Sequence, residues 1–428
     1  MPAATLLDRT DPLRDLAPDH VVDRWAERGL DELSDARLVE VAARHLAIPR
    51  RDPADSFVLH APLELMARSA LLRLVDPRAR VAARQRIAWV VATYDEAAPA
   101  SDRIAVVPAP DDGPVHPSLI DLGAVVDTGD LDAIDQAAIA VGAATSADEL
   151  VDRLADVVVP RLAAAGHGSI YLYHLRRLLA ASPAAATMAR GLLREIGRQP
   201  TWALTWMDHR APGVVPTRDL GQRLLGPPSP GDPGSHFIYP TMSLVERSGL
   251  AAELLDEPTR GLALSEARRE LLRVAAWSML QDDPAHAPYG WSHALTMPQA
   301  TLGVAPWCAE PERAVAVAAT YVLGFRSTLG SVTLDPSWRP EARHDLDLGS
   351  FLDTGPSAAA AAVWHAPAAE LDDLVQRLAT FAALHRDAHL AKYTLACLDA
   401  TRDDPAAGRL YLSAAAFLAG WWAERDGD

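Results

Sequence analysis

Lys392 is the single lysine among the 40 Lys and Arg residues of this 428-residue chain; every other one is arginine. A solvated surface cation can be either residue. A position that needs an amine able to lose its proton cannot be arginine, whose guanidinium stays protonated. Lys392 lies in "HRDAHLAKYTLACLDA", three residues after His389, and so shares a helix face with it. His385, four before His389, can share that face; Asp387 reads as facing elsewhere. The neighbouring positions, Leu384, Ala388, Leu395 and Ala396, are apolar. Burial there disfavours the ammonium and pushes the amine towards its neutral form. A neutral lysine can form a Schiff base, act as a base, or take up carbon dioxide as a carbamate. Beside imidazoles a carbamate is a carboxylate-type metal ligand. The plainer alternative is that an arginine-rich composition leaves one lysine by chance.

Four histidines share an apolar setting: His60 in "FVLHAPLELMARSALLRL", His167 in "AAGHGSIYLYHLRRLLAA", His293 in "YGWSHALTMPQATLGV", and His389. Each is also readable as a core histidine with one satisfied hydrogen bond. His174, close after His167, His236 in "GSHFIYPTMS", and His385 are reserve ligands. His20, His45, His116, His209, His286, His344 and His365 read as surface or loop residues. Trp277, Tyr289, Trp291 and Tyr393 lie near the proposed ligands in sequence. They are candidates to line an aromatic pocket, although for any one of them plain core packing is the commoner reading.

The elements that must position these residues read as helical almost throughout. Period-3.6 patterning covers 36–46, 57–75, 79–96, 131–142, 147–181, 184–198, 243–256, 264–282, 291–304, 311–328, 367–402 and 407–424. The best short strand candidate is "IAVVPAP" (104–110). Pro- and Gly-rich breaks fall at 107–118, 226–235 and 328–356. The expectation is one all-α domain over 1–428: a large multi-helix bundle with two lobes, about 1–225 and 236–428, joined by the 226–235 loop, and a metal site in the helical core. The acidic run 344–353 lacks EF-hand spacing and reads as a solvated loop.

Composition narrows the function classes. A net charge of -17 argues against nucleic-acid and anionic-membrane partners. The N-terminal residues lack the apolar region of a signal peptide, and no apolar run reaches membrane-span length. Cys308 and Cys397 form no zinc-ribbon or CxxC pattern, which suits a reducing cytoplasm. Dinucleotide, P-loop, serine-hydrolase and HExxH fingerprints are absent from the sequence.

The segments "LHAPLELM", "GHGSIYLYHLRR", "WSHALTMPQA" and "AHLAKYTLA", in that order over about residues 57–400, resemble the questin oxidase-like family. The corresponding family segments look like NHGPM, FHGLIRTAYA, HAVTAPAA and EHAIK. The resemblance implies a non-heme iron oxygenase with Fe(II) held by four histidines and a carboxylated lysine: here His60, His167, His293, His389 and Lys392. It implies an aromatic polyketide-type substrate, an anthraquinone or hydroquinone, attacked with O2 by C–C cleavage or Baeyer-Villiger-type ring opening. NADPH is the candidate reductant, at a site that no fingerprint marks. Leu59 replaces the family's Asn, and Tyr171 and Leu172 replace an Arg-Thr pair, which bears on the substrate more than on the metal. Two readings of other classes compete: a zinc-dependent hydrolase, and a non-catalytic helical protein that binds an aromatic metabolite.

Overall fold

A computed structural model of the chain describes residues 11–97, 102–104, 116–208, 219–229, 237–255, 263–342 and 349–426. Among these the protein is all-α, with eighteen α-helices and no strand; the β-pairing seen is two isolated bridges, one of them Arg50 with Arg103. The strand candidate at 104–110 falls almost wholly outside the described residues, as do residues 344–348 of the acidic run 344–353.

Two compact units emerge. One comprises 1–72, 77–203 and 307–309; the other comprises 73–76, 204–306 and 310–428. The chain passes from the first to the second at 203–204. Residues 230–235 of the anticipated 226–235 joint lie outside the described residues.

In the first unit, side-chain caps define where the main helices start. Ser34 accepts from Arg37 N, Asp55 from Val58 N, and Ser146 from Glu149 N, so that orphan first-turn amides are satisfied. Two buried charge clusters fix the helices to one another. Glu64 on the Ser56–Leu71 helix accepts from Arg68 Nε at 2.7 Å, and Arg86 approaches it from the Arg80–Glu96 helix at 3.4 Å. Asp135 accepts from Arg194 at 2.7 Å and Arg190 at 3.3 Å. Burial pushes the Asp135 carboxyl up despite both arginines, so its pairing compensates desolvation more than it adds stability.

The sequence pattern over 147–181 reads as one helix, but the structure breaks it. Helices Ala147–Val158 and Gly168–Ala181 are separated by a turn in which Ala164 (φ 52°), Ala165 (φ 52°) and Gly166 (φ 69°) are all left-handed. Two consecutive alanines in this region are strained. Helical periodicity persists through the segment because both helices bury apolar residues. Close packing resumes at Gly168, where a Cβ would stand 2.8 Å from Val158 Cγ1.

The second unit packs a core that includes Leu271, Val274, Leu302, Ala318 and Val322, from helices Leu264–Gln281, Ser292–Val304 and Pro311–Leu329. Buried Arg326 donates to Asp282 at 2.6 Å, and Ser331 donates to the same carboxylate. The pattern over 367–402 divides into Leu371–Leu384 and Ala388–Asp403, with Asp387 capping the second helix through His389 N and Leu390 N. The Pro356–His365 helix, rich in alanine, has no counterpart in the sequence reading. The 243–256 segment resolves into Ile238–Arg247 and Leu250–Leu255 around left-handed Gly249.

Relieving the left-handed strain gives a direct test. Ala165→Gly removes a Cβ clash of about 1–2 kcal/mol against a smaller unfolded-state entropy cost. It should raise the urea midpoint by about 1 kcal/mol equivalent, whereas Gly166→Ala should lower it. Equal midpoints for the two variants would show that the turn is not held as described.

Candidate metal centre

Each of the four apolar-setting histidines stands in the opening turn or two of a helix. His60 is the fifth residue of Ser56–Leu71 and His167 is the N-cap of Gly168–Ala181. His293 and His389 are the second residues of Ser292–Val304 and Ala388–Asp403. Irregular backbone precedes two of them: the left-handed turn before His167, and a π-helical turn, Ala287–Trp291, before His293. Such π turns recur at functional sites.

All four direct Nδ1 at a local oxygen. His60 Nδ1 meets the Ser56 carbonyl and His167 Nδ1 the Ala164 carbonyl at 3.1 Å. His293 Nδ1 meets the Tyr289 carbonyl, and His389 Nδ1 meets Asp387 Oδ1 at 3.2 Å. A carbonyl cannot donate, so Nδ1 carries the proton, and Nε2 presents its lone pair. This outer-shell arrangement is the one metal-bound histidines adopt, with one ring nitrogen donating to oxygen.

In the first unit the His60 and His167 rings meet edge to face with centroids 4.7 Å apart. In the second, His293 and His389 do the same at 4.9 Å. All four residues are buried, and one ring nitrogen of each lies within 4.8 Å of those of the others. Such a group of neutral donors has the composition of a metal site, and imidazole suits zinc, iron, copper and nickel.

Electrostatics keep the second pair neutral. Burial first, and then the Lys392 charge, pull His293 down to about 3. Burial, Lys392 and His293 together hold His389 well below the ordinary histidine value. Lys392 itself is 1 % exposed, one turn along from His389 on the same helix.

The other sequence candidates are placed as follows. His174 is buried beside Tyr173 and His385 lies against Trp422, and neither belongs to the group of four. His385 has a local role: its Nδ1 accepts from Asp387 N, and its Nε2 lies 3.0 Å from Asp426. His236 lies outside the described residues. Tyr289 is 55 % exposed with its ring centroid 5.0 Å from that of His389. Trp291 is a core residue bonded through Nε1 to the Asp283 carbonyl. Tyr393 is buried against Cys397. Trp277 lines a cleft in the second unit, described below.

Two residues depart from what the sequence predicts. Asp387 does not face elsewhere: it caps the helix and orients His389, and an Asp two residues before a helix-starting His is the signal for it. His45 is not a surface residue: it is fully buried between Asp95 (2.6 Å) and Asp11 (3.2 Å). Burial lowers its pKa, but the two carboxylates prevail and push it up to about 9. Compared with known proteins, the chain matches no family model, no curated protein and no solved structure.

Opposite pH dependences follow for the metal-free protein. His293 titrates lower folded than unfolded, so its contribution is complete above about pH 6.5 and is lost as pH falls towards 3. His45 titrates higher folded, so its contribution is complete below about pH 6.5 and is lost as pH rises through 9. Urea midpoints should fall on both sides. His293→Gln should flatten the acid limb alone and His45→Gln the alkaline limb alone; unchanged limbs would contradict the assignment.

Proposed function

We propose that His60, His167, His293, His389 and a carbamate on Lys392 hold one Fe(II), and that the protein is an oxygenase acting with O2 on an electron-rich aromatic substrate. The observation that carries the metal assignment is the common orientation of four buried imidazoles, each with Nδ1 donating to oxygen. The resemblance of the four histidine-bearing segments to the questin oxidase-like family supplies the iron and the reaction class. A reducing cytoplasm, where Fe(II) persists, suits this reading.

The donor set fits a divalent ion only with an added anion. Four neutral imidazoles leave two positive charges in a low-dielectric interior. Each ligand also stands near a helix N-terminus, whose partial positive charge opposes a cation. A lysine ammonium beside that ion would be repelled; a carbamate reverses the sign of the same side chain. Arginine cannot undergo that change, which accounts for a lone lysine in an arginine-rich chain.

Iron, when bound, supplies the one-electron chemistry that spin-forbidden reactions of dioxygen require. The chain's own residues do the rest. The Ser56, Ala164 and Tyr289 carbonyls and Asp387 hold the imidazole tautomers. Phe325 lies nearly parallel to His293 with centroids 6.5 Å apart and adds an apolar ring to its surroundings. Tyr289 offers a partly exposed phenol ring beside His389. Burial, then Asp387, raise its pKa, so the hydroxyl stays protonated and able to donate to a quinone or phenol oxygen.

Protein purified anaerobically should contain about one iron per chain. Lys392→Arg should lose both iron and oxygen uptake with an electron-rich hydroquinone as probe. Lys392→Ala should recover part of both on addition of formate or acetate. Stoichiometric zinc would favour hydrolysis, and full iron and turnover in Lys392→Arg would remove the carbamate from the account.

A further inference from the structure

Away from the histidines, the second unit carries a cleft of about 620 Å³, within the usual range for small-molecule sites. Half-buried Trp277 and Trp364 line it together with Arg273, Arg339 and Arg409. Among the described residues no Asp or Glu lines it, although the chain as a whole carries a net charge of -17. Thr401, at its edge, follows Lys392 by nine residues on one helix, roughly 14 Å along the axis. The cleft is therefore not the surroundings of Lys392.

The three guanidiniums are not equivalent. Arg273 is held by both oxygens of Asp404 at 2.8 Å, which neutralises its charge. Arg409 uses Nη1 on the Trp364 carbonyl at 2.6 Å and the Val363 carbonyl at 3.3 Å. Arg339 lies over the Trp364 ring, 5.1 Å from its centroid, with Nη1 on the Trp338 and Pro336 carbonyls. Among the described residues the ion pair at this cleft is that of Arg273 with Asp404. Among the described residues, Arg339 and Arg409 bring cationic donors to an indole wall with no carboxylate in an ion pair with either.

We propose that this cleft binds a planar aromatic carboxylate, its ring against Trp364 and Trp277 and its carboxylate on Arg339 and Arg409. Aromatic stacking and charge-assisted guanidinium–carboxylate hydrogen bonds are the interactions that these side chains supply. This does not rest on the metal reading.

Calorimetric titration of the full chain with 2-naphthoate tests it, with 2-naphthylmethanol as the neutral isostere and inorganic phosphate as competitor. One saturable site per chain is expected. Arg339→Gln, Arg409→Gln and Trp364→Leu should each weaken binding tenfold or more, as should the neutral isostere. Phosphate should not displace the naphthoate, and Lys392→Ala should bind it as the wild type does. Circular dichroism checks that each variant folds. Arg339 is exposed, and its contacts among the described residues are with its own loop and one ring face, so Arg339→Gln carries the test if Arg409→Gln is unstable. Absence of a saturable site, equal binding of the alcohol, displacement by phosphate at matching concentration, wild-type affinity in Arg339→Gln, or loss of binding in Lys392→Ala would each overturn the proposal.

Discussion

The imidazole that cannot choose its tautomer is the constraint on which this site depends. In water a neutral histidine exchanges its proton between two nitrogens. Here each of four rings is buried with Nδ1 on an oxygen that its own chain segment supplies: Ser56 and Tyr289 carbonyls one helical turn back, the Ala164 carbonyl in a left-handed turn, and the Asp387 cap. Burial penalises protonation, and the oxygen acceptor penalises the other tautomer. A lone pair on Nε2 is what remains.

Backbone geometry serves that constraint at an energetic cost. A regular helix through 164–167 would leave its carbonyls bonded along the axis. The left-handed alanines turn the chain so that the Ala164 carbonyl reaches the ring of His167. The π turn Ala287–Trp291 precedes His293 in a comparable way, and there the Tyr289 carbonyl is the acceptor. Prolines inside the histidine-bearing helices, Pro62 and Pro298, each remove one backbone donor from the helical ladder. Stability for these departures comes from apolar packing elsewhere in each unit, around Leu271 and Val322 in one and around Leu63, Leu65, Val90 and Val91 in the other.

Much of this was legible in the sequence because it is carried by composition and period. The all-α class follows from 3.6-residue patterning. The four histidines and Lys392 stand out because polar side chains in apolar helical faces are costly, and the structure buries all five. What escaped notice depends on local conformation or on partners distant in sequence. Two helices that bury apolar faces on either side of a turn keep the period of one helix, which hid the breaks at 164–166 and 385–387. His45 looks like any helix-terminal histidine until Asp11 and Asp95, 34 residues before it and 50 after it, close on its ring.

The central claim is that four imidazoles and one lysine-borne carboxylate surround a single iron. X-ray absorption at the iron edge of protein reconstituted anaerobically with Fe(II) and bicarbonate tests it most directly. The account predicts the outer-shell scattering of four imidazole rings, with a light oxygen scatterer that Lys392→Ala removes. A spectrum with two or fewer imidazoles, or an oxygen shell identical in Lys392→Ala, would contradict it.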